Sequence, residues 1–332
     1  MNVLLTSVGR RVALLRAFRR ELASYAPGGR VLATDASPLS AAFQDADGAF
    51  RVPPCASPEY VPALLELVRR ERVRVLVPLI DTELEVVAAH RDDFLREGCR
   101  AIVSDAAQVT LTRDKARSAR RFRELGFDAP RVFGPDELAD AESLPYPVFL
   151  KPLRGSASIG AVCIRDPKEL RFHLGRTDHP VVQSLEQGEE HTVDVFADLD
   201  GRARGAVPRQ RLETRAGESS KGRTVKDRVV MEAASRLVEA LGGCRGCITL
   251  QCFRGPAARV VFFEANLRFG GGYPLSYAAG ANYPGWLLRL AAGEPVPDFD
   301  AWEDGLLMLR YDDAVFVRGS GRREPPGGSV LL

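Results

Sequence analysis

The sequence predicts an α/β domain with a doubly wound parallel sheet at its N-terminal end, followed by a differently built α+β region. Three observations carry this expectation. Over the first hundred residues, short apolar runs alternate with amphipathic runs of helical period, the pattern of a parallel sheet with helices on its faces. After about residue 105 the alternation stops, and two short strands flank a glycine- and serine-containing loop, which is not a βαβ unit. Composition is that of a globular protein: 332 residues, 45% hydrophobic and 27% charged, with length for two or three domains and a sizeable core.

In order, NVLLTS (2–7) is an apolar strand, and RRVALLRAFRREL (10–22) has leucine and phenylalanine at helical spacing. RVLATD (30–35) is the next strand, PEYVPALLELVRRE (58–71) the next helix, and VRVLVPL (73–79) another strand. A helix over 82–98 and a strand over 101–104 complete the first unit. AAQVTLTRDKARSARRFRELG reads as one helix, then come strands over 147–152 and 160–165, and VVQSLEQGEEHTVDVFAD adds a strand, a turn and an alternating strand over 191–197. The segment 202–228 reads as a basic loop with seven Arg and two Lys against three acidic residues. A helix (228–241), strands near 247–253 and 259–265, and a loose tail, RREPPGGSVLL, follow.

Ligands of a doubly wound sheet gather at the carboxyl ends of its strands, here Ser7–Arg11, Asp35–Ser37 and Pro78–Glu83. TSVGRR holds one glycine where a dinucleotide fingerprint needs three, which argues against nicotinamide chemistry. The 46 basic and 44 acidic residues nearly cancel, so nothing points to nucleic acid. No stretch approaches the roughly 18 apolar residues of a membrane span. The opening MNVLLTSVGRR has no basic segment ahead of its apolar residues and reads as a first strand, not a secretion signal. With six cysteines, this suggests reduced thiols in a cytoplasmic protein. Cys244 and Cys247 form a lone CxxC without the second pair or histidines a zinc site wants, so buried thiols are expected.

The chemistry concentrates in FFEANLRFGGGYPLS (262–276). On a strand, Glu264, Asn266 and Arg268 share one face. Carboxylate and amide oxygens suit a hard cation such as Mg²⁺, and a guanidinium suits phosphate or carboxylate oxygens. Gln251, on the preceding strand, joins that face only if the intervening loop has an even length or the hairpin carries a bulge; a plain five-residue loop turns the two faces apart. Residues 153–160, LRGSASIG, follow Lys151 at the end of an apolar strand, and their small side chains let backbone N–H groups approach an anion. This is no Walker loop, since Ala161 and Val162 stand where Lys and Ser/Thr belong.

Taken in order, TRDKARSARRF, VFLKPLRGSASIG, VVQSLEQGEEHTVDVF and LQCF…FFEANLRFGGGYPLSYAAGAN resemble the ATP-grasp superfamily, specifically stand-alone ligases similar to one half of the carbamoyl-phosphate synthase large subunit. The resemblance implies a pre-ATP-grasp N-domain over 1–107, then a two-subdomain ATP-grasp fold, with a central subdomain over 108–183 and a C-terminal subdomain over 184–332. It implies that Lys115 and Lys151 hold the ATP triphosphate, under the loop containing Gly155, Ser156, Ser158 and Gly160. The hinge Gln183, Ser184, Leu185 and Glu186 would face adenine, and Glu190 the ribose. Gln251, Glu264 and Asn266 match the family's metal ligands for Mg²⁺, with Mn²⁺ as a substitute. Arg268 matches the arginine of the usual NPR; Leu267 replaces its proline, which removes no ligand. Ser184 and Glu186 depart from the acidic-aromatic-aliphatic run usual at the hinge.

The implied activity is ATP-dependent ligation of a small-molecule carboxylate, such as an amino acid, to an amine through an acylphosphate. In that reading Arg268, Lys221 and Arg211 serve the reacting anions, the latter two from the basic segment 202–228, for which a solvated charge-rich loop is the alternative. Arg10, Asp81, Glu83 and Gly271 are candidate substrate contacts, and Gly270–Gly272 are expected to turn the chain beneath the acceptor site. The rival readings are carboxylate phosphorylation of the carbamoyl-phosphate synthase kind, nucleotide binding without turnover, and an oxidoreductase built on the N-domain. A homodimer is compatible with such ligases.

Overall fold

The structure, a computed structural model, describes residues 1–153, 160–215 and 217–317. The chain opens with β1 (Asn2–Thr6), α1 (Val12–Tyr25), β2 (Arg30–Asp35), α2 (Ala41–Asp45), β3 (Gly48–Arg51), α3 (Tyr60–Glu71), β4 (Val73–Pro78), α4 (Asp81–Ala89), α5 (Arg91–Arg96) and β5 (Arg100–Ala101). Its five strands form one parallel sheet in the order β3-β2-β1-β4-β5. The order reverses between β1 and β4, so the crevice beyond their carboxyl ends is where a ligand fits. The expected helix over 82–98 is broken at His90 into α4 and α5, and α2 and β3 are too short and too weakly patterned for the sequence to announce.

Then come α6 (Ala106–Arg113), α7 (Lys115–Glu124), α8 (Pro135–Ala139), β6 (Val148–Pro152), β7 (Val162–Ile164), α9 (Pro167–Leu174) and β8 (Pro180–Ser184). The single helix expected over this stretch is split at Asp114, whose carboxylate accepts the N–H groups of Ala116 and Arg117 and so caps α7. Strands β7-β6-β8 form a small antiparallel sheet over its own core, which includes Phe133, Leu144, Val148, Leu150, Leu170 and Val182.

The remainder is β9 (Glu189–Ala197), β10 (Ala203–Arg215), β11 (Glu218–Thr224), α10 (Arg228–Leu241), β12 (Gly246–Arg254), β13 (Val260–Asn266), α11 (Tyr273–Ala278), α12 (Tyr283–Ala291) and β14 (Leu307–Leu309). Its strands make an antiparallel sheet in the order β13-β12-β9-β10-β11-β14. The segment 202–228, read from its charge as a loop, is mostly the hairpin β10–β11. Its excess of basic residues is met by acids from elsewhere. Arg209 pairs with Asp194, Arg211 with Glu190, Arg215 with Asp312 and Arg228 with Asp300.

The large sheet and the N-domain share one continuous apolar core. Phe18 of α1 meets Phe269 edge-on at 5.8 Å, and Glu21 accepts hydrogen bonds from Tyr277 and Asn282. α6 and α7 also belong to this body, packing on α4 and β13. No helix among the described residues is long and apolar enough to cross a membrane. The tail 322–332 lies outside the described residues.

Candidate active site

A cleft of about 410 Å³ lies between the β1 and β4 ends of the N-domain and the large sheet. Its floor is the β12–β13 hairpin. Arg254 pairs with Val260, so residues 255–259 form a five-residue connection, the odd length that by itself turns Gln251 away from Glu264. A bulge restores the face: Cys252 pairs with Phe262, whereas Gln251 pairs with Glu264, leaving Phe263 as the extra residue. Glu264 thus lies directly across from Gln251, and Asn266 across from Thr249.

The Asn266 amide donates to Glu264 Oε1 at 3.1 Å, and all three candidate cation ligands line the cleft. Glu264 also acts electrostatically on the Lys151 ammonium. The donor set is all oxygen with one carboxylate, which fits a hard cation that completes its shell with phosphate oxygens and water. No group of three or more His, Cys, Asp or Glu among the described residues could hold a metal of another kind.

Lys151, in β6, is 7% exposed and lies 5.9 Å over the Phe263 ring. Burial lowers its ammonium to about 8, Glu264 pulls the other way, and Lys115 adds to the lowering. Lys115, the first residue of α7, lines the cleft, whereas Lys151 is not among its lining residues. Lys115 and the oxygen donors therefore meet there from α7, β12 and β13, with Lys151 of β6 within electrostatic reach of Glu264 and Lys115. Of the predicted phosphate-loop residues named above, Gly160 is described, with φ at +74°; Gly155, Ser156 and Ser158 lie outside the described residues.

Arg268 enters just past β13. Its Nη2 donates to Asp81 at 2.8 Å across the cleft, and its Nε is buried without a hydrogen-bond partner. Arg211 contacts Glu190, donates to Gln251 Oε1 at 3.2 Å and to the Gly217 carbonyl at 3.1 Å. The predicted ribose residue and a predicted cation ligand are thereby held by one guanidinium. Arg10 lies at the rim, 3.2 Å from Glu218.

Gly270–Gly272 line the cleft. None of the three has a positive φ, so close approach, not left-handed backbone, explains them. A Cβ at Gly270 would press on Thr249, at Gly271 on the Glu218 carboxylate, and at Gly272 on the Arg209 guanidinium.

Three groups of predicted residues are placed elsewhere. Lys221 is half-exposed on β11, 2.7 Å from Glu213, and does not line the cleft. Glu83 is fully buried; it accepts Ser7 Oγ at 2.8 Å, Tyr60 OH at 2.6 Å and the Leu79 N–H at 2.6 Å, so it braces the β1 and β4 ends from behind. At the hinge, Gln183 is buried, and the Ser184 hydroxyl donates to Glu186, which pairs with Arg259 at 3.1 Å. Ser184 and Glu186 face a second opening of about 440 Å³, with Leu185 half-buried between them.

The cleft also contains residues the sequence did not single out. Arg209 and Asp194 form a buried pair at 2.8 Å beneath it, with Thr249 and Ser276 hydroxyls completing the Asp194 shell. Glu218 is held below the ordinary carboxylate range, against its own burial, by Arg11 first and then Arg310 and Arg10. Arg11 lines the cleft beside Arg10. Nothing in the string of residues separates Arg11 from Arg10; only the turn that precedes them decides which is directed inward. Cys244 and Cys247 are buried, and burial pushes both thiols up.

Residues 3–102 match the family model of the PylC-like N-terminal domain, and residues 177–314 that of an ATP-grasp in the biosynthetic pathway with Ter operon. The chain is 33% identical over 111 residues to a D-alanine–D-alanine ligase of Anaplasma marginale, a match covering 31% of this chain and 32% of that protein. It therefore spans about a third of the length of that curated relative. In fold it is similar to biotin carboxylase in complex with β,γ-ATP from Campylobacter jejuni (TM-score 0.72, 16% identity, covering 92% of this chain and 74% of that one). It is similar also to an L-amino acid ligase from Bacillus licheniformis (0.66, 17%, 87% and 73%). N5-carboxyaminoimidazole ribonucleotide synthetase from Thermotoga maritima gives 0.64 at 17% identity, covering 90% and 77%.

Proposed function

We propose that the chain, whose residues 3–102 and 177–314 match a PylC-like N-terminal domain and an ATP-grasp, is an ATP-dependent ligase of the ATP-grasp superfamily, joining a small-molecule carboxylate to an amine through an acylphosphate. The observation that carries the reading is convergence. Lys115 and Arg268 bring two cationic groups, and Gln251, Glu264 and Asn266 bring oxygen donors, to one cleft, with the buried Lys151 ammonium within electrostatic reach of Glu264 and Lys115.

Lys115 and Lys151 are assigned to the triphosphate. Burial makes the Lys151 ammonium costly until an anion arrives, which favours binding of the charged nucleotide. Gln251, Glu264 and Asn266 would hold Mg²⁺, which when bound offsets phosphate charge and so eases attack by a carboxylate. Arg268, held by Asp81 at 2.8 Å, is assigned to the transferring phosphoryl group and the substrate carboxylate. In the first step the substrate carboxylate oxygen displaces ADP from the γ-phosphorus. In the second, the amine nitrogen attacks the acyl carbon, phosphate leaves, and the nitrogen loses a proton. These residues contribute by position and charge, so no Ser-His-Asp arrangement is needed.

The test is ADP release by the full chain over pairs of amino acids and small carboxylates, with product mass identifying acid and amine. Glu264→Gln and Asn266→Ala are each expected to lower kcat by roughly 10²–10³-fold with the productive pair. A change under about threefold removes both residues from the mechanism. ATP binding with no acid or amine eliciting ADP favours a nucleotide-binding role instead.

A further inference from the structure

We propose that Arg11 docks a carboxylate that the amine-bearing substrate retains in the product, which makes the acceptor an amino-acid-type molecule and not a simple amine; this rests on the ligase reading.

The cleft has two cationic ends. Lys151 has Glu264 and Lys115 as its charged neighbours, whereas Arg11 lines the cleft with Arg10, Arg268, Asp81 and Glu218. On this reading the anion at Arg11 is not the triphosphate assigned to the lysines. At the Arg11 end, four guanidinium groups, from Arg10, Arg11, Arg268 and Arg310, face two carboxylates. Glu218 is shared by Arg10 at 3.2 Å and Arg310 at 2.9 Å, and Asp81 is taken by Arg268 at 2.8 Å. The Arg11 side chain alone of the four makes no hydrogen bond or ion pair among the described residues. Its pKa is lowered to about 10, by burial first and by Arg268 next, and it remains charged at neutral pH.

The turn before Arg11 is built to hold it there. Ser7 has φ at +51°, a conformation costly for a residue with a Cβ, and Gly9 has φ at +48°. The Ser7 hydroxyl is anchored on Glu83, the Gly9 N–H on Asp35 at 2.8 Å, and the Arg11 N–H on the Val8 carbonyl at 2.9 Å. A strained Ser7 turn anchored on two carboxylates brings to the cleft a guanidinium that acts on Glu218 through space but has no direct side-chain hydrogen-bond partner among the described residues. A guanidinium offers two parallel donors matched to the two oxygens of a carboxylate. The third oxygen of a phosphate would find the neighbouring arginines already engaged.

The experiment is calorimetric titration of the full chain with the standard L-amino acids, and with the primary amide of each one that binds. Wild-type protein is expected to bind the acid at least about tenfold tighter than its amide, and Arg11→Gln to weaken the acid on the order of 10–100-fold while leaving the amide unchanged. Arg11→Lys, which keeps the charge and loses the fork, is expected to fall between. In ADP release the same change appears in the KM for the acceptor, with kcat within about threefold. Arg11→Gln with an undiminished acid-over-amide preference overturns the proposal. So does the absence of any acid that outbinds its amide, or tighter Arg11-dependent binding of ethanolamine phosphate. Because titration needs no turnover, failure of the ligase reading and failure of the Arg11 assignment are separable.

Discussion

Lys151 shows most plainly what a single buried side chain is required to do. Its pKa, about 8 against an ordinary 10.5, means that the ligand-free fold holds a charge that burial opposes. The sign follows from proton binding. Between about pH 8 and pH 10.5 the unfolded chain binds more of this proton than the fold does, so stability from this group rises with pH across that window. Below about pH 8 the cost is fully present, on the order of 3 kcal/mol. Lys151→Met should therefore unfold at higher temperature than wild type at pH 7, with the two converging by about pH 10.5, while its nucleotide affinity falls. Parallel melting curves across that range would remove the argument. At this scale residue type narrowed the chemistry proposed for Glu264 and Asn266, which the fold brings into the cleft. The sequence was silent where two like residues adjoin, as with Arg10 and Arg11, and misleading where a charge is spent on the fold, as with Glu83.

Elements are governed by what their strands hide. The hairpin β10–β11 was legible as charge but not as strand, because the acids that neutralise it come from distant segments such as Asp194, Glu190 and Asp312. The β12–β13 face was legible down to two alternatives, and the bulge at Phe263 decided between them. Beneath that face, Asp194 ties β9 to β10, β12 and α11 through Arg209, Thr249 and Ser276. Asp194→Asn leaves the Arg209 charge buried without its counterion and is expected to cost about 3–5 kcal/mol in denaturant unfolding. Adding Arg209→Met should recover most of that loss, and a double variant no more stable than the single one would show that the cost lies elsewhere. Gly272→Ala, whose new methyl would meet the same guanidinium, is expected to cost about 1–3 kcal/mol.

The molecule as a whole is two unequal bodies. The N-domain, α6, α7 and the large sheet share one core, whereas β6–β8 fold over a separate core with eight buried residues among those described. The alternation of strands and helices foretold the parallel sheet. It could not foretell that α6 and α7, contiguous in sequence with the small sheet, pack on α4 and β13 instead, because that is a matter of partner, not period. Amide hydrogen exchange is expected to be faster over 144–153 and 160–182 than over 189–215 and 217–266, and to slow in the first set when ATP and Mg²⁺ are added. Equal rates in the two sets would show that the bodies unfold together.

The small core has a consequence for heredity. Whatever free energy is needed to order β6–β8 around a ligand is subtracted from the affinity observed. Leu150, Leu170 and Val182 belong to that core and are absent from the residues lining the main cleft. Variants that trim such side chains would weaken binding while every residue of the cleft stays intact. In a lineage, drift in nucleotide affinity could therefore accumulate in the interior of the smaller body and leave no mark on the site itself.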